Sequence, residues 1–249
     1  MKVTLVQFAP EWHSPEENWR KLTEILSSVK NTDLIVLPEM FTTGFTMQPE
    51  SVAEPIEGPT TQWLISEARK HNSAIAGSIV IRENNCFYNR MIFATPNGIL
   101  DYYDKKHLFV LTQEPEKYCP GQEVKIVDWR GWKIRLAICF DLRFPHWLFN
   151  HNYAYDLLLI SASWPHKRID AWNALLKARS IENQAYVVAV NRVGSDPYEF
   201  YSGFSTALDY AGNPIVQLAY SETVVTVGLD KQAMIQFREK FPFVKSSSQ

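Results

Sequence analysis

The chain carries little net charge, few cysteines and no long apolar run, and each absence removes a class of function. A formal charge of −2 gives no electrostatic case for binding nucleic acid or an anionic membrane surface. No apolar stretch approaches the roughly 20 residues that a membrane-spanning helix needs. The three cysteines, Cys86, Cys119 and Cys139, are widely spaced. They suggest neither a disulfide framework nor a CxxC metal site, and they fit a reducing cytoplasm. Met1 to Gln7 enters a strand at once and has no apolar signal-peptide core, so the expectation is a soluble cytoplasmic protein. HExxH, paired-Cys and GxGxxG patterns are also missing, so nothing points to a metal or an organic cofactor.

What is present suits an ordinary globular enzyme. At 249 residues the chain can bury a large core, and 46% hydrophobic with 21% charged residues argues against disorder and coiled coil. No linker, repeat or low-complexity segment divides it, so a single domain is expected over residues 1–249, with a short polar tail at 245–249. Eight Trp and eleven Tyr suggest aromatic-walled pockets or an interface, although core packing accounts for them equally well.

Short apolar strands alternate with helical stretches. Strands are expected at 3–7, 34–37, 73–80, 133–138, 156–161, 186–191 and 223–228. Hairpins are expected at 88–105 across Pro96-Asn97-Gly98 and at 207–216. Ser14-Pro15 reads as an N-cap with proline at the first helical position, opening a helix to about Val29. Further helices are expected at 60–70, 168–183 and 230–241. Hairpins mixed with β-α-β units indicate mixed sheets covered by helices in a layered α/β arrangement.

Three reactive groups fall at or just beyond strand ends. Glu39 follows Leu34-Ile35-Val36-Leu37-Pro38, Lys105 follows Tyr102-Tyr103-Asp104, and Cys139 follows Leu136-Ala137-Ile138. Asp141, Arg143 and Pro145 break the apolar pattern after Cys139 and should open a helix, leaving the thiol at a strand-to-helix elbow. A helix N-terminus or a cation there can lower a thiol toward thiolate. Each group also has a plain reading: Cys139 as a small buried hydrophobe, Glu39 as a solvated carboxylate, Lys105-Lys106 as an exposed face. Together they form a set sufficient for acyl transfer, with a carboxylate base, a thiol nucleophile and an ammonium for the oxyanion.

At these residues the chain resembles the nitrilase, or carbon–nitrogen hydrolase, superfamily over nearly its whole length. The resemblance rests on Leu37-Pro38-Glu39-Met40-Phe41, Tyr103-Asp104-Lys105-Lys106-His107-Leu108-Phe109 and Cys139-Phe140-Asp141-Leu142-Arg143-Phe144-Pro145. Arg179 to Gln184, followed by Asn191-Arg192-Val193-Gly194, adds a fourth segment, with Ser180 in place of the usual alanine. It implies a four-layer α-β-β-α sandwich, Glu39 as general base, Lys105 as the lysine and Cys139 as nucleophile. It also implies Glu114 as a second glutamate that holds Lys105, and the backbone N–H of Phe140 as an oxyanion donor. No cofactor is implied. The partner is a small amide, and a homodimer joined through helical faces is expected.

Finer matches at Phe41 to Phe45, Trp129 to Trp132, Ser163 to Arg168 and Arg238 to Pro242 resemble the bacterial omega-amidase branch. That branch implies hydrolysis of the terminal amide of 2-oxoglutaramate or 2-oxosuccinamate through a Cys139 thioester. Such a substrate needs a cation for its 2-oxo carboxylate. Arg168 is the first candidate and Arg143 the second, with a buried ion pair as the other reading of Arg143. Phe45 and Trp164 are candidate apolar walls. The sequence stops soon after Phe241-Pro242-Phe243-Val244-Lys245, without the longer tail associated with the branch and its dimer contact. Another amidase or carbamoyl-amino-acid hydrolase of the superfamily, or a non-catalytic amide-binding homologue, is the alternative. A Cys–His enzyme is disfavoured because nothing ties any histidine to Cys139.

Overall fold

The computed structural model describes residues 1–246, the side chain of Ser246 excepted. The first half of the chain runs β1 (Lys2–Gln7), α1 (Pro15–Leu26), β2 (Leu34–Val36), α2 (Pro59–His71), β3 (Ala74–Glu83), β4 (Cys86–Thr95) and β5 (Gly98–Asp104). After the one-turn α3 (Glu114–Lys117) come β6 (Ile126–Trp129), β7 (Trp132–Ile138), α4 (Pro145–Leu148), β8 (Leu157–Ala162), α5 (Ile169–Asn183) and β9 (Tyr186–Asn191). A two-stranded ribbon, β10 (Val193–Ser195) and β11 (Phe200–Ser202), precedes β12 (Thr206–Leu208), β13 (Pro214–Gln217), β14 (Thr223–Gly228), α6 (Lys231–Lys240) and α7 (Phe243–Ser246).

The strands form two six-stranded sheets, ordered β14-β1-β2-β3-β4-β5 and β13-β12-β9-β8-β7-β6. Both are built alike: three central parallel strands (β1-β2-β3 and β7-β8-β9) with antiparallel strands on either side. Strands at the centre of parallel sheets are covered on both faces and read as continuous apolar runs. That is why Leu157–Ala162 and Tyr186–Asn191 are buried at every position.

Alternation along the strands separates the layers. In β2 and β3, Leu34, Val36, Ala74 and Ala76 join one apolar cluster with Leu136, Ile138, Leu157 and Leu159 of the second sheet. Ile35, Ile75 and Ile79 point the other way, onto Leu22 and Leu26 of α1 and Leu64 and Ala68 of α2. Helix α5 covers the second sheet at β9 and β12 through Trp172 and Leu176. Each such fully buried large side chain stabilises the fold by roughly 1.5–3 kcal/mol. The result is the expected α-β-β-α order.

Several local expectations shift. Ser14 precedes α1, but its hydroxyl donates to the Trp12 carbonyl instead of accepting from the helix, and α1 stops at Leu26. The helix expected after Cys139 is a 3-10 turn, Cys139–Arg143, then the short α4. Phe144 between them is non-helical, as the ring of a following proline favours. Strands β6, β10 and β11 were not anticipated, being three or four residues long. Of the expected tail at 245–249, Lys245 and Ser246 end α7, and 247–249 lie outside the described residues. No helix among the described residues is long and apolar enough to cross a membrane.

The cysteine expectation is corrected. Cys86 and Cys119, 33 residues apart in sequence, form a disulfide with their Cα atoms 5.9 Å apart. Spacing could not reveal it, because the pairing depends on tertiary contact. The segment after α3 folds back on the start of β4, where the Cys119 N–H donates to the Phe87 carbonyl at 2.8 Å. Closing a loop of this length is worth about 3–4 kcal/mol by the chain-entropy relation. We therefore expect Cys86→Ala/Cys119→Ala, or wild type with excess dithiothreitol, to melt on the order of 10 °C below the oxidised protein. Equal melting temperatures by scanning calorimetry would show that the crosslink does not constrain the unfolded chain.

Candidate active site

Glu39, Lys105 and Cys139 come from three strand ends. β5 is reached from β3 by two antiparallel steps, so it runs parallel to β2 and β3, and Glu39 and Lys105 emerge at the same edge of the first sheet. Cys139 leaves the carboxyl end of β7 in the second sheet, the edge at which open α/β sheets place their sites. The two sheets are stitched together there. The Ser161 hydroxyl donates to the Leu37 carbonyl at 2.8 Å and the Ser163 hydroxyl to the Glu39 carbonyl at 3.2 Å. Both turns are left-handed at a residue other than glycine, Met40 at φ 45° and Cys139 at φ 42°. Such conformations cost of order 1–3 kcal/mol each and cluster at functional sites.

Lys105 lies at the centre. Its Nζ donates to Glu39 Oε1 and to both oxygens of Glu114, each at 2.9 Å, and all three side chains are fully buried. The remaining carboxylate capacity is filled by fixed donors. Ser163 N–H reaches Glu39 Oε2 at 2.8 Å, Asn89 Nδ2 reaches Glu39 Oε1 at 2.8 Å and Glu114 Oε1 at 3.4 Å, and Phe109 N–H reaches Glu114 Oε2. Glu114 begins α3, whereas Glu116 is exposed. Lys106 turns away to Gln122 at 2.9 Å. The backbone behind Lys105 is equally confined. Gly121 N–H donates to the Lys105 carbonyl at 2.9 Å, and a Cβ on Gly121 would fall 2.1 Å from the Asp104 carbonyl oxygen, so only glycine fits.

The electrostatics follow from burial and the two carboxylates. Burial alone would lower the Lys105 pKa, but Glu114 and Glu39 outweigh it and hold the ammonium charged. Glu114 is pushed up by burial, against the pull of Lys105 and with a further push from Glu39. The Cys139 thiol is pushed well above its usual value, first by burial and then by the Glu39 charge; Lys105 and the Ser163 N–H offset only part of this. That is the opposite of the lowering a helix end or a cation could have given, because the thiol is buried and the turn after Cys139 is too short to carry a strong dipole. The resting site therefore holds a protonated thiol beside a carboxylate.

Cys139 is 8% exposed and shows that fraction to a cavity of about 300 Å³, which Lys105 and Ser163 also line. Phe45, Phe109, Phe140, Trp164 and Tyr198 are among its walls. Phe45 places its ring 5.0 Å from Lys105 Nζ, and Trp164 is held by Nε1–H donating to the Arg168 carbonyl at 2.8 Å. As the second residue of its 3-10 turn, Phe140 has a backbone N–H with no intrahelical acceptor. Both candidate arginines reach the cavity. Arg168 sits 4.9 Å from the Phe109 ring and 4.0 Å from Glu199. Arg143 is exposed and stacks 5.3 Å from the Trp164 ring, with no carboxylate partner among the described residues, so the buried-pair reading of Arg143 is overturned.

Two members of the cluster escaped sequence reasoning. Asn89 lies inside β4, where Asn89-Arg90 interrupts an otherwise apolar run; two buried polar residues there were the available signal. Ser163 acts through its N–H, which no residue type announces. His107, close to the lysine in sequence, engages Asp141 through Nδ1 at 2.8 Å.

The chemistry available in this arrangement is that of acyl transfer, and comparison with known proteins agrees. The pattern described as carbon-nitrogen hydrolase matches residues 2–239. Omega-amidase YafV of Escherichia coli is 40% identical over 244 residues, covering 97% of this chain and 94% of its own. A 2-oxoglutaramate amidase of Bacillus subtilis is 35% identical, covering 96% and 95%. Among solved structures, a CN-hydrolase superfamily protein of Xanthomonas campestris, with an arsenic adduct in its active site, superposes with a TM-score of 0.96 at 39% identity, covering 98% and 96%. Nit3 of Saccharomyces cerevisiae shares the fold at a TM-score of 0.88, covering 97% of this chain and 94% of its own. With a matching pattern over nearly all its length and such relatives, the chain belongs to the carbon–nitrogen hydrolase family.

Proposed function

We propose that this protein hydrolyses the terminal amide of short 2-oxo dicarboxylic acid monoamides, 2-oxoglutaramate and 2-oxosuccinamate, to the 2-oxo dicarboxylate and ammonia. The observation that carries the reading is a buried Glu39–Lys105–Glu114 cluster beside a free thiol, opening on a cavity that holds an unpaired guanidinium. The names of the bacterial relatives supply the substrate class.

In this reading the amide carbonyl oxygen sits between the Lys105 ammonium and the Phe140 N–H. Glu39 takes the proton from Cys139 as Sγ bonds to the carbonyl carbon, and the oxyanion forms against those two donors. The tetrahedral adduct collapses as Glu39 returns the proton to the nitrogen, so ammonia leaves and a thioester remains. Glu39 then takes a proton from water, whose oxygen attacks the thioester, and the acid departs as the thiol is restored. Glu114 and Asn89 keep Lys105 charged and Glu39 aimed. The carboxylate of the substrate meets Arg143, which has no competing carboxylate, with Arg168 behind it and Phe45 and Trp164 against the methylenes. A homodimer formed through the α5 layer, where Ile181 is exposed, belongs to the same proposal.

Wild type should release ammonia from 2-oxoglutaramate in preference to glutamine, a carbamoyl-amino acid or a simple nitrile, and Cys139→Ala should abolish this. Turnover of a different amide would keep the chemistry and replace the substrate. Arg143→Ala should raise KM for 2-oxoglutaramate about tenfold or more, as expected for a lost charge-assisted hydrogen bond. An unchanged KM would move the carboxylate to Arg168.

A second expectation concerns the thiol alone. Because its pKa is raised, the reactive thiolate is scarcer at pH 7 than in a free cysteine. Alkylation of Cys139 by iodoacetamide should accordingly be slow there and climb through pH 9 without a plateau. A plateau below pH 8 would mean a preformed thiolate and would remove the need for Glu39 as base.

A further inference from the structure

Asp141, two residues beyond the nucleophile, is fully buried and has no part in the chemistry above. Its carboxylate nevertheless accepts four hydrogen bonds. Oδ1 receives the His107 N–H at 3.0 Å and His107 Nδ1 at 2.8 Å. Oδ2 receives the Tyr103 hydroxyl at 2.7 Å and the Ile138 N–H at 3.0 Å. Tyr103 Oη in turn accepts from the Lys106 N–H at 3.2 Å and from Trp147 Nε1 at 3.1 Å.

The donors fall into two groups. Tyr103, Lys106 and His107 flank Lys105 at the end of β5 in the first sheet, whereas Ile138 immediately precedes Cys139 at the end of β7 in the second. The Ile138 contact closes a ring around Cys139, the residue held at φ 42°. The Phe144 ring stacks on His107 with centroids 3.6 Å apart, so the plane of the imidazole is fixed as well. Among the described residues, no other side chain is bonded at once to the residue before the nucleophile and to residues on both sides of the lysine.

From this geometry we propose that Asp141 is a positioning residue for the reaction, setting the separation of the Lys105 ammonium and the Cys139 thiol across the two sheets and holding the nucleophile in its left-handed turn. The proposal rests on the amidase reading only for its kinetic arm. Displacements of about 1 Å at a reacting centre cost on the order of 100-fold in rate. Removal of one carboxylate oxygen should therefore lower kcat and leave substrate binding nearly intact, since Asp141 does not line the cavity.

The test compares Asp141→Asn with Tyr103→Phe, which keeps the ring and deletes the hydroxyl that donates to Asp141 and accepts from the Lys106 N–H and Trp147 Nε1. Three readouts are taken for each: kcat and KM on the amide that wild type hydrolyses, the iodoacetamide rate on Cys139 at pH 8, and the melting temperature. The proposal expects kcat to fall about 100-fold for Asp141→Asn and about tenfold for Tyr103→Phe, with KM within threefold of wild type. Alkylation should slow in parallel as the ammonium withdraws its support from the thiolate. Variants that melt earlier but keep wild-type kcat and alkylation rates would overturn it and leave Asp141 a structural hub. If Asp141→Asn does not fold, Tyr103→Phe decides by the same criteria. If wild type hydrolyses no amide, the functional reading fails, and the alkylation rates still decide the positioning role.

Discussion

Everything at this site depends on keeping one ammonium charged in the interior. Removing an ion from water costs several kcal/mol even after relaxation, and a single counterion seldom repays it. Lys105 is given two carboxylates, and they in turn need donors of their own, which come from Ser163 N–H, Phe109 N–H and Asn89 Nδ2. These donors belong to β4, to the loop before α3 and to the loop after β8, so the cluster binds together parts of both sheets. Deleting one carboxylate would leave the ammonium with a single counterion and strand the buried N–H donors that the lost carboxylate satisfied, disturbing fold and chemistry together. The confinement of Gly121 against Asp104 and the Cys86–Cys119 link belong to the same economy of structure: both fix the segment that carries Glu114.

The architecture explains why the parts meet. Each sheet has three parallel strands at its centre, and the carboxyl ends of β2 in one sheet and of β7 and β8 in the other lie together. The proposed base on one sheet and the proposed nucleophile on the other can then sit in contact while each remains on a rigid element. Hydrogen bonds from Ser161 and Ser163 across the sandwich take the place of a covalent connection between the halves. The aromatic cavity lies outside those ends and is completed by the ribbon of β10 and β11, which contributes Tyr201.

Much of this was legible in the residues because the long elements are strongly patterned. Tyr186–Asn191 and Thr223–Gly228 fall where the apolar runs place them, and α5 begins one residue later than expected. The reactive groups could be found because Glu, Lys and Cys at the ends of apolar strands are conspicuous. Three kinds of information were out of reach. Pairing of Cys86 with Cys119 is set by tertiary contact, and so is the partnering of Arg143, which proved exposed and not buried. Backbone donors such as Ser163 N–H leave no mark on residue type. The sign of the thiol's shift depends first on how deeply Cys139 is buried and then on the Glu39 charge weighed against that of Lys105, which spacing along the chain does not encode.

That sign bears on how such a site works. A thiol paired with an imidazolium stands ready as a thiolate and needs no base for its attack. Here burial and the Glu39 charge keep the proton on sulfur, and the histidine nearest in sequence to the lysine is committed to Asp141. A protonated thiol beside a carboxylate carries one negative charge fewer than a thiolate beside a carboxylate would, and so suits an interior that already holds two glutamates around one lysine. In the proposed reaction, sulfur gains its charge only as it bonds to carbon, when that charge passes to an oxygen facing Lys105 and the Phe140 N–H. The ammonium, fully engaged by carboxylates in the resting state, would then find a third anion at the moment of reaction, which is differential stabilisation of the transition state over the ground state.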